Sequence, residues 1–231
     1  MSIAENLAQV NASIRSAEAA AGRSSESVRL LAVSKFHPLE SVIEAIEAGQ
    51  RFFGENRVQE AFSKFSELLS RGYDFDLHII GTLQRNKVRD AVKIASCIES
   101  VDRIVVLEEI ERQCAKISKN IDVLLEVHTG EETKAGFTDS AELERAISLC
   151  AQKTYPHITL TGLMTMAPNT DNEEEIRRSF RIIRGLRDTF SEKYAISLPE
   201  LSMGMSGDYP LAIAEGATIV RIGSAIFGAR Q

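Results

Sequence analysis

The sequence alternates between short apolar runs and amphipathic stretches from residue 29 to residue 223. Short apolar runs are typical of strands that are buried on both faces of a parallel sheet. Apolar residues at helical spacing predict a helix after each of these strands. The predicted strand and helix pairs are 29–35 with 39–48, 51–56 with 58–69, 76–81 with 86–95, 97–101 with 104–119, 123–128 with 140–152, 158–166 with 173–194, 200–203 with 209–215, and the last strand 218–223.

Alternating strands and helices pair in parallel through right-handed crossovers. Eight such units in 231 residues, near the usual barrel length of about 250 residues, predict an α/β fold: a TIM-type (β/α)8 barrel. An extra helix over 2–21 precedes the first strand. No linker divides the series, so we expect one domain over residues 1–231. An open, doubly wound sheet is the alternative, because parallel strands do not by themselves require closure.

Composition and charge argue against several classes of protein. The net charge of −6 argues against nucleic acid as a partner, because phosphate backbones require a basic surface. Cys97, Cys114 and Cys150 form no Cys-x-x-Cys pair, which predicts reduced core thiols in a cytoplasmic protein. The first residues lack an apolar signal core and no apolar run is long enough to cross a bilayer, so we expect no membrane partner.

The first predicted strand ends on Lys35, a residue that packing alone does not explain. Burial disfavours an ammonium ion and increases the fraction of neutral, nucleophilic amine. Such an amine condenses with aldehydes to form a Schiff base. The alternative is a lysine whose side chain extends from the strand end into solvent.

Glycine and serine follow the seventh and eighth predicted strands, where barrels of this class often bind phosphate. Ser206 lies in the first of these turns, and Gly223 and Ser224 form the second. Backbone N–H groups can approach an anion at such turns, and the helix dipole favours its negative charge. Either serine could equally be a plain helix N-cap.

Three other polar residues lie in or directly after predicted strands. Arg221 lies within an apolar strand, where its guanidinium needs an acceptor: a distant carboxylate, an anionic ligand or a ring nitrogen. His78 lies in the third strand, either as a hydrogen-bonded core residue or against a flat ring, and Asn56 follows the second strand. The histidines lack the spacing of metal ligands, so we expect no metal.

A nucleophilic lysine, a phosphate-binding turn and a group that faces a ring together describe a phosphorylated aromatic aldehyde. Pyridoxal 5′-phosphate (PLP) is such a cofactor, and its proteins use a lysine Schiff base and a partner for the pyridine nitrogen. The alternative is an aldolase that forms a lysine Schiff base with a phosphorylated sugar and needs no cofactor.

Six segments of the chain resemble the pyridoxal phosphate homeostasis protein family, in the same order and over nearly the whole length. They are LAVSK (31–35), FGENRVQE (53–60), HIIGTLQRNK (78–87), GLMTM (162–166), LSMGMS (201–206) and VRIGSAIFG (220–228).

The resemblance implies a barrel similar to the N-terminal domain of alanine racemase. A loop over 129–137, which includes Lys134, resembles a family loop whose role the residues do not define. The residues implied to contact PLP are Lys35 through the Schiff base, Arg221 at the pyridine nitrogen, Ser206, Gly223 and Ser224 at the phosphate, and Asn56 and His78 beside the ring.

The resemblance also implies a role in vitamin B6 and amino-acid homeostasis. An arginine at the pyridine nitrogen keeps that nitrogen unprotonated and weakens the ring as an electron sink. Alanine racemases take a second catalytic base from an all-β domain, and we expect no such domain after the eighth strand here. We therefore expect a PLP buffer or carrier without catalytic residues, with a minimal PLP-dependent racemase as the alternative. PLP-dependent apo-enzymes are the expected recipients, and the expected state is a monomer or weak homodimer.

Overall fold

The computed structural model describes residues 2–130 and 135–228, and in this part of the chain eight parallel strands close into a barrel. The strands follow one another around the barrel in chain order, and the last pairs with the first, which confirms the (β/α)8 prediction over the open sheet. The strands are β1 (Arg29–Val33), β2 (Phe52–Glu55), β3 (Asp76–Ile79), β4 (Cys97–Val101), β5 (Ile121–Glu126), β6 (Ile158–Met164), β7 (Glu200–Ser202) and β8 (Ile219–Ile222).

Helices follow the strands on the outside of the barrel, and one additional helix precedes β1. A short 3₁₀ turn, Arg85–Lys87, leads into the fourth helix. The helices are α1 (Ile3–Ala20), α2 (Leu39–Glu47), α3 (Val58–Ser70), α4 (Val88–Ile94), α5 (Ile104–Ile117), α6 (Ser140–Ala151), α7 (Glu173–Tyr194), α8 (Tyr209–Ala214) and α9 (Ser224–Phe227).

Most element boundaries shift by one or two residues from the sequence-based ones, and three differences bear on the fold and the site. β1 ends at Val33, so Lys35 lies in the following turn and not within the strand. β5 begins at Ile121, because this residue pairs with Ile158 of β6. The four-residue helix α9 was not predicted, since it is too short to show helical periodicity.

Helix α1 covers the place where the chain's first and last units meet. Its start is a capping box: the Ser2 hydroxyl accepts from the Glu5 amide, and the Glu5 carboxylate accepts from the Ser2 amide. The helix packs against α2, α8 and α9. The side-chain amide of Asn6 donates to the Ile226 carbonyl oxygen at 2.8 Å, which ties α1 to α9.

Alternate strand residues form two apolar layers, as the two-residue period of a strand requires. Leu31 and Val33 pack with Phe52 and Ile219 in one cluster. Leu30 and Ala32, which point the other way, belong to the larger cluster that joins the strands to the helices. The interior of the barrel is therefore a packed core and not an open channel.

The cysteines are free, as predicted: Cys97 and Cys114 are buried, and Cys150 is half-buried. Among the described residues, no helix combines the length and the apolar character that crossing a bilayer requires.

Strands β6 and β7 approach each other closely at Gly162 of β6. A Cβ at this position would lie 2.0 Å from the Glu200 carbonyl oxygen of β7, so β6 and β7 could not pair. We predict that Gly162→Ala lowers the free energy of unfolding by roughly 3 kcal/mol in urea denaturation.

Gly185 in α7 is the matched control, because a Cβ there has no atom within 4 Å. Gly185→Ala should raise the free energy of unfolding by up to about 1 kcal/mol, since alanine is the better helix former. Equal effects of the two substitutions would contradict the close-approach argument.

Candidate functional site

A cavity of ≈ 310 Å³ opens at the carboxyl ends of the strands. This is the end at which (β/α)8 barrels carry their functional residues. Residues that follow strands on both sides of the β1–β8 junction form part of its wall. Six of the seven residues predicted from the sequence line this cavity: Lys35, Asn56, Ser206, Arg221, Gly223 and Ser224.

Lys35 lies in a turn between β1 and α2. The amide N–H of His37 donates to the carbonyl oxygen of Ser34 at 3.2 Å, which closes the turn around Lys35. Lys35 is half-buried and contributes to the cavity wall. Its amine is therefore carried at the rim, where an incoming aldehyde could reach it.

Arg221 is buried in the barrel interior, with 5% of its surface exposed. Nη1 donates to the Ser202 hydroxyl at 2.8 Å, and Nη2 donates to the Thr165 carbonyl oxygen at 2.8 Å. Within the described residues, no carboxylate bonds the guanidinium directly. Because arginine has five N–H groups, these two bonds leave three unused, and Arg221 lines the cavity.

Glu99 supplies the counter-charge for Arg221 through Ser202. The Ser202 hydroxyl donates to Glu99 Oε2 at 2.5 Å, and His78 Nδ1 lies 2.6 Å from Glu99 Oε1. Burial opposes ionisation of Glu99, but His78, Arg221 and Ser202 outweigh burial and hold its pKa below the ordinary value. An ionised carboxylate only accepts, so His78 Nδ1 carries the proton that it donates.

His78 does not line the upper cavity, contrary to the expectation that it would lie beside a ring. Ile80, two residues further along, occupies that level of the cavity wall. His78 instead lines a separate cavity of ≈ 210 Å³ together with Asp76 and Asp122, near the amino ends of the strands. A sequence shows that a strand residue points inward, but its depth along the barrel depends on strand tilt and register.

The two Gly/Ser turns meet at the cavity, and neither serine is a helix N-cap. Asp208 occupies the N-cap of α8, and Gly223 occupies that of α9. Ser206 and Ser224 are exposed. Within the described chain, neither hydroxyl has a hydrogen-bond partner, so both can bind a ligand.

Glycine is required at position 223 for a steric reason. A Cβ there would lie 2.9 Å from the Val33 carbonyl oxygen, so the end of β8 could not lie this close to β1. The backbone of the turn therefore reaches the cavity without a side chain in the way.

Glu126, the last residue of β5, is a cavity residue that the sequence reasoning missed. It is 2% exposed, and β5 lies opposite β1 in the closed barrel. Burial raises the pKa of Glu126 to about 7; the charge of Arg221 opposes this rise, and Asp102 and Glu99 add to it. A polar residue at the end of a buried strand was the signal that identified Lys35 in the sequence. The same signal could have identified Glu126.

Two further expectations concern the loop and metals. Lys134 of the loop 129–137 lies outside the described residues. In the ranges 2–130 and 135–228, no group of three or more His, Cys, Asp or Glu side chains is arranged to hold a metal ion.

Comparison with known proteins agrees with this barrel. Residues 6–231 match the family model described as alanine racemase, N-terminal domain. The pyridoxal phosphate homeostasis protein of Aquifex aeolicus (strain VF5) is 39% identical over 231 residues, with 100% of both chains covered. The protein of the same name from Vibrio alginolyticus is 38% identical over 233 residues, covering 100% of this chain and 98% of that one.

A solved structure of PipY from Synechococcus elongatus PCC7942, with PLP bound, is also similar. It superimposes with a TM-score of 0.86 at 37% identity and covers 98% of this chain and 100% of its own. The fold and the cavity thus define a barrel of the alanine racemase N-terminal domain class. Within that class, the chain belongs to the pyridoxal phosphate homeostasis protein family.

Glu126 should make the stability of the ligand-free protein depend on pH. Its carboxyl has a pKa of about 7 when folded but about 4.5 when unfolded, so the folded state holds the proton more tightly. The unfolding free energy should therefore fall as pH rises from 5 to 8, by about 2 kcal/mol from this group. Glu126→Gln should remove this fall in the unfolding free energy. Urea denaturation at pH 5 and at pH 8 measures it.

Glu47→Gln, at an exposed position on α2, is the control and should follow the wild-type pH dependence. If Glu126→Gln differs from wild type by the same amount at pH 5 and pH 8, the assignment of this ionisation to Glu126 fails.

Proposed function

We propose that this protein binds PLP covalently through Lys35 and takes part in PLP homeostasis as a non-catalytic buffer or carrier. The observation that carries the proposal is the meeting of Lys35, both Gly/Ser turns and Arg221 in one cavity. The PLP-bound structure of PipY and the names of the full-length relatives support the choice of ligand. We take residues 1–231 as one PLP-binding domain.

The residues present fit PLP in three respects. Ser206 and Ser224 have free hydroxyls beside the Gly223 turn, which suits a phosphate group. Arg221 keeps unused N–H groups that can donate to the pyridine nitrogen. Asn56 lies in the cavity wall beside the proposed place of the ring.

Lys35 supplies the covalent link. When PLP is bound, its aldehyde accepts the Lys35 amine, a C=N bond forms and one water molecule leaves. His78 has no proposed contact with PLP; through Glu99 and Ser202 it helps to balance the charge of Arg221.

The environment of Arg221 supports storage rather than turnover. Its guanidinium is fixed by Ser202 and Thr165, and its charge is balanced within the barrel by Glu99. A second positive charge on an adjacent pyridine nitrogen is disfavoured, so the ring would be a weak electron sink. Holding and releasing the cofactor requires no such sink.

The proposal extends to partners and setting. A stored PLP becomes useful when an apo-enzyme that requires PLP receives it, and we propose such enzymes as recipients. A cytoplasmic location and a monomeric or weakly dimeric state remain predictions from the sequence.

We predict that Lys35→Ala abolishes the covalent adduct but leaves weak PLP binding through the phosphate site. The dissociation constant, measured by equilibrium dialysis, should rise at least about tenfold, and the visible absorbance of the Schiff base should be lost. Lys93→Ala, on the outer helix α4, is the control and should behave as wild type.

Wild-type absorbance in Lys35→Ala would refute the covalent assignment. A wild-type protein that never binds PLP would favour the cofactor-free aldolase. Sustained exchange of the α-proton of amino acids, if it depends on Lys35, would contradict the carrier proposal and favour racemase activity.

A further inference from the structure

The turn that carries Lys35 is strained. Phe36 has φ = 65°, in the left-handed region that bulky side chains rarely occupy. This residue directly follows Lys35 and lies between the Ser34 carbonyl and the His37 amide that close the turn. A strained residue persists only where surrounding contacts hold it.

Helix α3 provides those contacts on both sides of Lys35. The Phe36 amide donates to Glu60 Oε1 at 2.7 Å, and Lys64 Nζ donates to the Ser34 carbonyl oxygen at 2.9 Å. Lys64 also donates to Glu60 Oε1 at 3.3 Å. The backbone groups immediately before and after Lys35 are thus bound by two linked side chains of one helix.

Lys64 belongs to a buried ion cluster that also contains Glu55 and Glu60. Lys64 is 7% exposed and its third N–H donates to Glu55 Oε1 at 2.8 Å. Glu55 is fully buried and also accepts from the Ser34 hydroxyl at 2.7 Å. All three ammonium protons of Lys64 are used, which fixes its position.

The ring of Phe36 is held from the same helix. The guanidinium of Arg57, the N-cap residue of α3, lies 5.1 Å from the centre of this ring, a cation–π distance. Both the amide and the side chain of Phe36 therefore contact the first turn of α3.

We propose that Glu60 and Lys64 are positioning residues that hold the turn over residues 34–37 in its strained form and so aim the Lys35 amine into the cavity. The inference rests on the proposed adduct at Lys35. A turn free to relax would present the amine correctly for only part of the time, and condensation with an aldehyde would slow in proportion.

The first test compares Glu60→Ala with wild type. The rate of adduct formation, followed by visible absorbance after mixing with PLP, should fall about tenfold, because the Phe36 amide loses its acceptor. Affinity for pyridoxine 5′-phosphate, which lacks the aldehyde, should stay within about twofold, since the phosphate site is untouched. Glu67→Ala, which removes an exposed ion pair on the same helix, is the control and should match wild type.

The second test is rescue by glycine. Glycine adopts positive φ without steric cost, so adding Phe36→Gly to Glu60→Ala should restore the rate to within about threefold of wild type. Glu60→Gln keeps an oxygen that accepts from the Phe36 amide and should retain at least about a third of the rate. An unslowed Glu60→Ala, or a slowed one that glycine does not rescue, would overturn the inference.

The third test needs no variant and remains available if Glu60→Ala does not fold. The Phe36 amide of the unaltered protein should exchange hydrogen at least about 100-fold more slowly than in an unstructured peptide, measured by NMR. Rapid exchange would overturn the inference. A wild-type protein that forms no adduct at all would refute the proposed function instead, which separates the two failures.

Discussion

Hydrogen bonding between β1 and β8 is the constraint on which the candidate site depends. The pairing runs from Arg29 with Ile219 to Ala32 with Ile222, and both strands point the same way. Their carboxyl ends therefore reach the same rim, which brings Lys35 beside the turn at Gly223. In an open sheet, the first and last strands would not meet in this way. Closure of the barrel thus creates the combination of amine and anion site.

The charges inside the barrel determine what this combination can do. A buried guanidinium is stable only with acceptors and a counter-charge, and Arg221 has both through Ser202, Thr165 and Glu99. The network leaves part of the guanidinium facing the cavity as a fixed cation. A fixed cation suits retention of an electron-rich ring nitrogen more than the protonation that broad carbanion chemistry requires. In this way the packing of the interior leads to the carrier proposal.

Much of the architecture was predictable because strand and helix periodicities are local properties of the sequence. Lys35, Arg221 and the Gly/Ser turns were identifiable because polar or flexible residues at strand ends conflict with simple packing. The depth of His78 was not predictable, since it depends on how β3 is registered against Gly54 and Cys97. The cluster around Lys64 joins Ser34, the residue after β1, to β2 and α3, and only the folded chain brings these elements together.

The most direct test of the account is to locate the covalent bond itself. The wild-type protein would be loaded with PLP, reduced with borohydride, digested and mapped by mass spectrometry. The account predicts a single major modified peptide with the reduced adduct on Lys35, at close to one equivalent per chain. An adduct on another lysine, or no adduct, would contradict it.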